Sequence, residues 1–248
     1  MMDLFEAVEI EINHHCNRRC GYCPNHHSVR KSNGEINPEL YGRLLAELSE
    51  LSFKGRVSFH FYNEPMLHSD LLGIVRQARS HLPLAKLVLY TNGSLLTNSW
   101  FENLLSAGID QFIVTRHAQD DNRDDYVFER TWQKLDGNQR SRVIYISHQQ
   151  LAKTDRAGTL DTVKMPKVGN LPCLIPSKII TVTVSGGVLP CFEDYNETQL
   201  MGHLSDSSLL EIWKSPQFVQ FRKSLKLGMR NQNNLCSKCH RSQVLDPF

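Results

Sequence analysis

Cys16, Cys20 and Cys23 form a Cys-x₃-Cys-x₂-Cys group near the start of the chain, and Cys173, Cys191, Cys236 and Cys239 follow near its end. These are all seven cysteines of the sequence, and they divide as three plus four. Three thiolates can hold a four-iron, four-sulfur cluster and leave one iron open to a small molecule, whereas four thiolates close such a cluster. On this reading the first cluster does chemistry and the second moves electrons. Zinc is the competing occupant of either group. At the first group a zinc ion would need a fourth ligand from His14, His15, His26 or His27, which otherwise read as loop residues. At the second, four cysteines could make a zinc ribbon.

The composition limits the alternatives. The 248 residues leave room for one large domain, or a medium one with a small module. Lys and Arg total 28 against 26 for Asp and Glu, so nothing in the charge argues for nucleic acid or an anionic membrane, and a small-molecule substrate is the simpler expectation. No apolar run is long enough to span a bilayer, and the start of the chain lacks the pattern of a secretion signal. The expected location is cytoplasmic, where cysteines are ligands or catalytic groups more often than disulfides.

The elements that must position these groups alternate between strand and helix. Val8 to Ile12 alternates apolar and charged residues, which predicts a half-buried strand leading into the first cysteine group. Asn37 and Pro38 predict a helix start, with Leu40, Leu44, Leu45, Leu48 and Leu51 on one face and an end near Phe53. Strands are then expected over Arg56 to Tyr62, Lys86 to Thr91, Gln111 to Thr115 and Arg142 to Ser147. Helices are expected over Leu71 to Leu82, Thr97 to Ala107 and Asp125 to Leu135. This βα alternation implies a parallel sheet with functional groups on the loops after its strands. Five strands are too few for a closed eight-strand barrel, so an open, incomplete one is expected. Further on, Ile179 to Val184, Gly186-Gly187 and Val188 to Cys191 predict a hairpin, followed by one amphipathic helix through Leu209, Ile212, Trp213, Phe218 and Phe221. The division falls into a barrel over residues 1–165 and a small module over 166–248.

The cysteine triplet after a first strand, with aromatic Tyr22 before its third cysteine, resembles the signature of the radical S-adenosylmethionine (SAM) superfamily. Tyr62-Asn63-Glu64-Pro65 resembles that family's Gly-Gly-Glu-Pro motif for the SAM ammonium group, with Tyr62 and Asn63 standing in place of the glycines. Thr91-Asn92-Gly93 ends the third strand, where similar enzymes contact SAM. Cys173, Gly186, Cys191 and the Cys236-x₂-Cys239 pair resemble the twitch module, the shortened relative of the SPASM domain, which holds one auxiliary cluster. The resemblance extends to the 2-deoxy-scyllo-inosamine dehydrogenase family of aminoglycoside biosynthesis. It rests on the runs Cys16 to Asn25, His60 to Pro65, Tyr90 to Gly93, Phe112 to Ala118 and Val188 to Asp194.

The resemblance implies an α/β fold, a partial radical SAM (β/α) barrel with a small C-terminal twitch domain of a hairpin plus helix. It implies two four-iron, four-sulfur clusters and SAM as cofactors. Tyr22, Asn63, Glu64, Thr91, Asn92, Thr115 and His117 would contact SAM, and the seven cysteines would hold the clusters. The expected activity is a dehydrogenase that oxidises a secondary alcohol of an aminocyclitol or sugar-like substrate to a ketone. An external one-electron donor such as flavodoxin or ferredoxin would reduce the first cluster. For the substrate, the resemblance points to Arg156, read as binding and polarising the alcohol because arginine is normally protonated. Tyr62 could bond a hydroxyl, and Glu193 could face an ammonium group. An epimerase and a peptide-modifying twitch enzyme are the alternatives. The first usually needs a free thiol to return a hydrogen atom, and all seven cysteines already have a role. The second commonly carries an extra leader-binding domain, and here the first strand begins by about residue 6.

Overall fold

The structure is a computed structural model that describes residues 4–28, 33–117, 126–151, 153–161 and 168–241. Its frame is one sheet built from β1 (Ala7–Ile10), β2 (Arg56–Ser58), β3 (Lys86–Thr91), β4 (Gln111–Arg116), β5 (Val143–Ser147), β6 (Ile179–Val182), β7 (Gly187–Leu189) and β8 (Gly202–His203). Among the described residues the strand order is β5-β4-β3-β2-β1-β6-β7-β8. The first six strands run parallel, and β7 and β8 turn back antiparallel.

Helices cover the sheet where the sequence supplies both a cap and an apolar stripe. Asn37 Oδ1 accepts from the amides of Glu39 and Leu40 at the start of α1 (Pro38–Glu50), which buries Tyr41, Leu44, Leu45 and Leu48. Asp70 caps α2 (Leu71–His81) and Thr97 caps α3 (Asn98–Ala107). Gly108, at φ 122°, closes α3 in a conformation that a side chain would strain. Two short helices, α4 (Val127–Lys134) and α5 (Gly137–Ser141), precede β5. Asp136 and Gln139 form the capping box that starts α5, a helix the sequence reading did not include. The first residue of the helix expected over Asp125 to Leu135 lies outside the described residues.

Four expectations change. β1 is not half-buried: all its residues are buried, including Glu9 at 2 %, and Glu11 just beyond it is 1 % exposed. The cause is its place between β2 and β6, with covered faces on both sides and buried polar partners for each carboxylate. Thr181 Oγ1 donates to Glu9 at 3.0 Å, and the Val184 amide donates to Glu11 at 3.0 Å. Second, the hairpin expected in a separate module begins with β6, which pairs in parallel with β1 from Ala7↔Ile179 to Ile10↔Val182. A sixth parallel strand therefore comes from the C-terminal part of the chain. Third, the single helix expected from Leu209 to Phe221 is two, α6 (Leu209–Lys214) and α7 (Pro216–Lys226). Pro216 lacks the amide to continue α6 and starts the next helix, with Ser215 accepting from the Phe218 amide. The strand expected over Arg56 to Tyr62 also stops at Ser58, and the remaining residues form a loop.

Beyond the β6–β1 pairing, the C-terminal part is packed onto the barrel against α1 and Phe5. Arg43 donates to the Leu204 carbonyl at 2.8 Å, Glu47 accepts the Leu209 amide at 2.6 Å, and Phe5 meets Trp213 edge to face. A last helix, α8 (Asn234–Lys238), delivers Cys236 and the following Cys239. Among the described residues, no helix is long and apolar enough to cross a membrane.

Candidate active site

The loops following β1 to β5 open into a cavity of about 400 Å³. Cys16, Cys20 and Cys23 lie on its wall, together with Tyr22, Tyr62, Asn63, Glu64, Thr91, Asn92, Thr115, His117 and Arg156. Every expected SAM-contacting residue therefore lines one space. Cys173, Cys191, Cys236 and Cys239 line a second, smaller cavity, and Glu193 lines that one rather than the first. Arg241 borders both.

All seven cysteines are free thiols. Burial pushes Cys16 up to about 12, Cys236 up to about 12 and Cys239 up to about 11. Thiols held this way become ligands only when a bound cation offsets the desolvation of their thiolates. Among the described residues no three His, Cys, Asp or Glu side chains lie close enough to share one metal ion. A cubane, in contrast, takes its thiolates on separate irons and spans a wider set. The donor set and the two cavities fit a three-thiolate cluster and a four-thiolate one.

Glu64 ties the ends of the second and third strands together. Its Oε1 accepts from Thr91 Oγ1 at 2.7 Å and from the Met66 amide at 3.2 Å, and its Oε2 accepts from the Asn92 amide at 2.7 Å. Burial raises its pKa, and these bonds oppose the rise. A carboxylate has about four lone-pair sites, so acceptor capacity is left on Oε2 for a cofactor ammonium. Asn63 is turned inward and closes its own loop, accepting from the Phe61 amide at 2.8 Å. Tyr22 Oη is hydrogen-bonded to His117 Nδ1 at 2.6 Å. Burial, then Arg18 and His148, lower the His117 pKa to about 4, so the ring is neutral and able to accept that bond.

Arg156 sits on a turn in which Arg156, Ala157 and Gly158 all have positive φ, at 50°, 50° and 80°. For the two that are not glycine, such a backbone costs on the order of 1–3 kcal/mol each and persists only where its surroundings enforce it. The guanidinium lies 5.4 Å from the Tyr62 ring and donates to Glu193 Oε1 at 3.4 Å, while its buried Nε has no partner among the described residues. Burial alone would lower the Arg156 pKa, but Tyr62 and Glu193 carry it above its ordinary value. The group is therefore a permanent cation. Tyr62 donates its hydroxyl proton to the Phe192 carbonyl at 2.9 Å, which leaves its oxygen as an acceptor. Glu193 is 2 % exposed and accepts from Thr154, Arg156 and Arg241, the last at 3.1 Å.

Glu9, His60 and Tyr90 also line the cavity, residues to which the sequence reading gave no role, and Arg56 bonds to two of them. Arg56 donates to the Tyr90 hydroxyl at 2.5 Å and pairs with Glu9 at 3.5 Å, and the His60 ring stacks on Tyr90 at 3.9 Å. His60 and Tyr90 belong to runs that carry the family resemblance, so position in those runs was the available signal. Glu9 was legible only as a charged residue in a strand. Burial, then Arg56 and Arg156, lower the His60 pKa to about 3. In the unfolded chain the ring takes up its proton near pH 6.5, so the native state loses stability as pH falls from about 6.5 toward 3 and gains it back as pH rises. His60→Gln is expected to remove about 1.4 kcal/mol of this acid sensitivity between pH 7.5 and 5.5. Thermal melts at the two pH values test it, the variant showing a drop smaller than the parent's by about 3–6 °C. Equal drops would mean that His60 is not held neutral.

Comparisons with known proteins agree with this geometry. Residues 10–137 match the radical SAM superfamily, and residues 173–240 match the SPASM iron-sulfur cluster-binding domain. The S-adenosyl-L-methionine-dependent 2-deoxy-scyllo-inosamine dehydrogenase of Niallia circulans is 41 % identical over 244 residues, covering 98 % of this chain and 96 % of that one. The crystal structure of BtrN in complex with AdoMet and 2-DOIA superposes with a TM-score of 0.92 at 40 % identity, covering 98 % of this chain and 96 % of BtrN. Streptococcus suis SuiB bound to its precursor peptide SuiA reaches a TM-score of 0.62 at 14 % identity, over 96 % of this chain and 71 % of SuiB, which is a likeness of fold alone. With a superfamily match along its barrel, a SPASM match along its C-terminal part and a near full-length relative, the chain belongs to the radical SAM superfamily, as an oxidoreductase whose cofactors are SAM and four-iron, four-sulfur clusters.

Proposed function

We propose that the chain oxidises a secondary alcohol of an aminocyclitol to a ketone, with loss of one hydrogen atom, one electron and one proton from the substrate. The observation that carries the reading is the single wall, Arg156–Glu193–Arg241, between a cavity bordered by three thiols and a cavity lined by four. Near full-length likeness to a 2-deoxy-scyllo-inosamine dehydrogenase supports the substrate class. When bound, SAM and its cluster supply a radical that abstracts hydrogen, and the auxiliary cluster takes up one electron.

In this reading Cys16, Cys20 and Cys23 hold the SAM-binding cluster. Cys173, Cys191, Cys236 and Cys239 hold the auxiliary one, within a module over residues 166–248 that follows a barrel over 1–165. Glu64 takes the SAM ammonium group on its remaining acceptor sites, Asn63 fixes the loop around it, and Tyr22, Thr91, Asn92, Thr115 and His117 shape the rest of the SAM site. Arg156 donates to the substrate alcohol and stabilises negative charge on its oxygen as the proton leaves. Tyr62 accepts from a neighbouring hydroxyl. Glu193, paired with both Arg156 and Arg241, keeps Arg156 aimed. With all seven thiols as ligands, none is left to return a hydrogen atom, which favours oxidation over epimerisation. The setting is cytoplasmic, the reductant a flavodoxin- or ferredoxin-like donor, and no nucleic acid takes part.

Anaerobic reconstitution, iron and sulfide determination, and reaction with SAM, a reductant and a panel of aminocyclitols test the proposal. About eight irons per chain are expected, with deoxyadenosine and ketone formed together only when a suitable aminocyclitol is present. About four irons, or deoxyadenosine indifferent to every aminocyclitol, would contradict it.

A further inference from the structure

We propose that His240 and Arg241, the two residues after Cys239, are positioning residues that clasp the strained turn carrying Arg156 and so present its guanidinium to the main cavity. The inference rests on the reading above only in taking Arg156 as the substrate-facing group. The turn holds itself with two backbone bonds, Thr159 N to Arg156 O at 3.1 Å and Leu160 N to Asp155 O at 2.9 Å. Three successive left-handed residues need more support than that.

The additional support comes from two distant parts of the chain. His240 Nδ1 donates to Asp155 Oδ2. Asp155 is 4 % exposed and its other carboxylate oxygen has no partner among the described residues, so His240 is the group that compensates this buried acid. Arg241 Nη1 donates at 3.1 Å to the same Glu193 oxygen that receives Arg156, and Thr154 Oγ1 reaches the other Glu193 oxygen at 2.8 Å. Gly158 lies against Lys238, where a Cβ would come within 3.2 Å of the lysine Cβ. The segment 238–241 thus touches the turn before and after Arg156 and shares Glu193 with Arg156 itself. Cys239 sits in the middle of that segment, so the conformation in which it joins the second cavity is also the one that sets the Arg156 turn.

Hydrogen exchange of the reconstituted protein tests this without reference to turnover, because the amides of Thr159 and Leu160 report on the turn directly. His240→Ala is expected to speed exchange in a peptide spanning 154–160 by roughly tenfold, the scale of one lost charge-assisted hydrogen bond. Iron content and exchange across 173–237 should stay as in the parent. KM for the accepted aminocyclitol should rise by a similar factor. His240→Asn, whose amide can donate from nearly the same place, should restore most of the protection. Parent-like exchange in His240→Ala would overturn the proposal. So would faster exchange spread through the whole C-terminal part with no rescue by Asn, which would make His240 a folding residue of that part only. Should no aminocyclitol be oxidised, the exchange result still decides whether the clasp exists.

Discussion

Replacing Cys191 and Cys236 together by alanine is expected to lower the iron content from about eight to about four per chain and to abolish ketone formation while leaving substrate-dependent deoxyadenosine. The two thiols come from separate segments, the end of the β6–β7 hairpin and α8, and both border the second cavity. Removing both leaves Cys173 and Cys239, too few ligands to close a cubane. The main cavity keeps Cys16, Cys20 and Cys23, so hydrogen abstraction continues, but the substrate's second electron has no acceptor across the Arg156–Glu193–Arg241 wall. The expected loss of ketone is at least about a hundredfold, which in barrier terms exceeds about 2.7 kcal/mol. The matching Cys16→Ala/Cys20→Ala pair should instead lose deoxyadenosine itself. Two results would defeat the assignment: eight irons retained in the first variant, or ketone and deoxyadenosine still formed in the parent's ratio.

What could be read from the chain before its structure depended on how local each feature is. The cysteine triplet, Glu64 and Thr91-Asn92 follow strands whose own residues mark them, so their gathering around one cavity was expected from strand order alone. Glu64 illustrates the limit. Its position was legible, but its bonds to Thr91 and Asn92, 27 and 28 residues away, join chain segments that meet only after folding. Glu9 was harder still, since an alternating strand between two parallel neighbours has no solvent face. The pairing of β6 with β1 links Ala7 to Ile179, a crossover that no periodicity reports. The break at Pro216 was present in the sequence as a proline after a serine, and the continuous apolar stripe on either side concealed it. Glu193 was singled out to face an ammonium group, yet its partners Thr154 and Arg241 lie 39 and 48 residues away, and they make it part of a buried wall.

Arg156→Gln is expected to reduce kcat/KM by about 10²–10³, the range for losing a donor that stabilises developing negative charge on oxygen, with iron content and reductive SAM cleavage unchanged in kind. Glutamine keeps a donor and much of the length but loses the charge that Glu193 and Tyr62 sustain. Lysine should rescue poorly: an ammonium cannot donate at once to Glu193 and to a substrate oxygen from the fixed planar spacing of a guanidinium. The pH dependence separates two roles for this residue. A group held cationic above the ordinary arginine range does not titrate where the enzyme is stable, so removing it should lower the whole kcat/KM profile without moving its inflections. A base would behave otherwise, its removal deleting an inflection and leaving activity that rises steadily with hydroxide. If Arg156→Gln erased the acidic limb of the profile, the arginine would have to lose its proton during turnover, and the cation that the turn, Glu193 and Tyr62 together maintain would be the wrong description of the site.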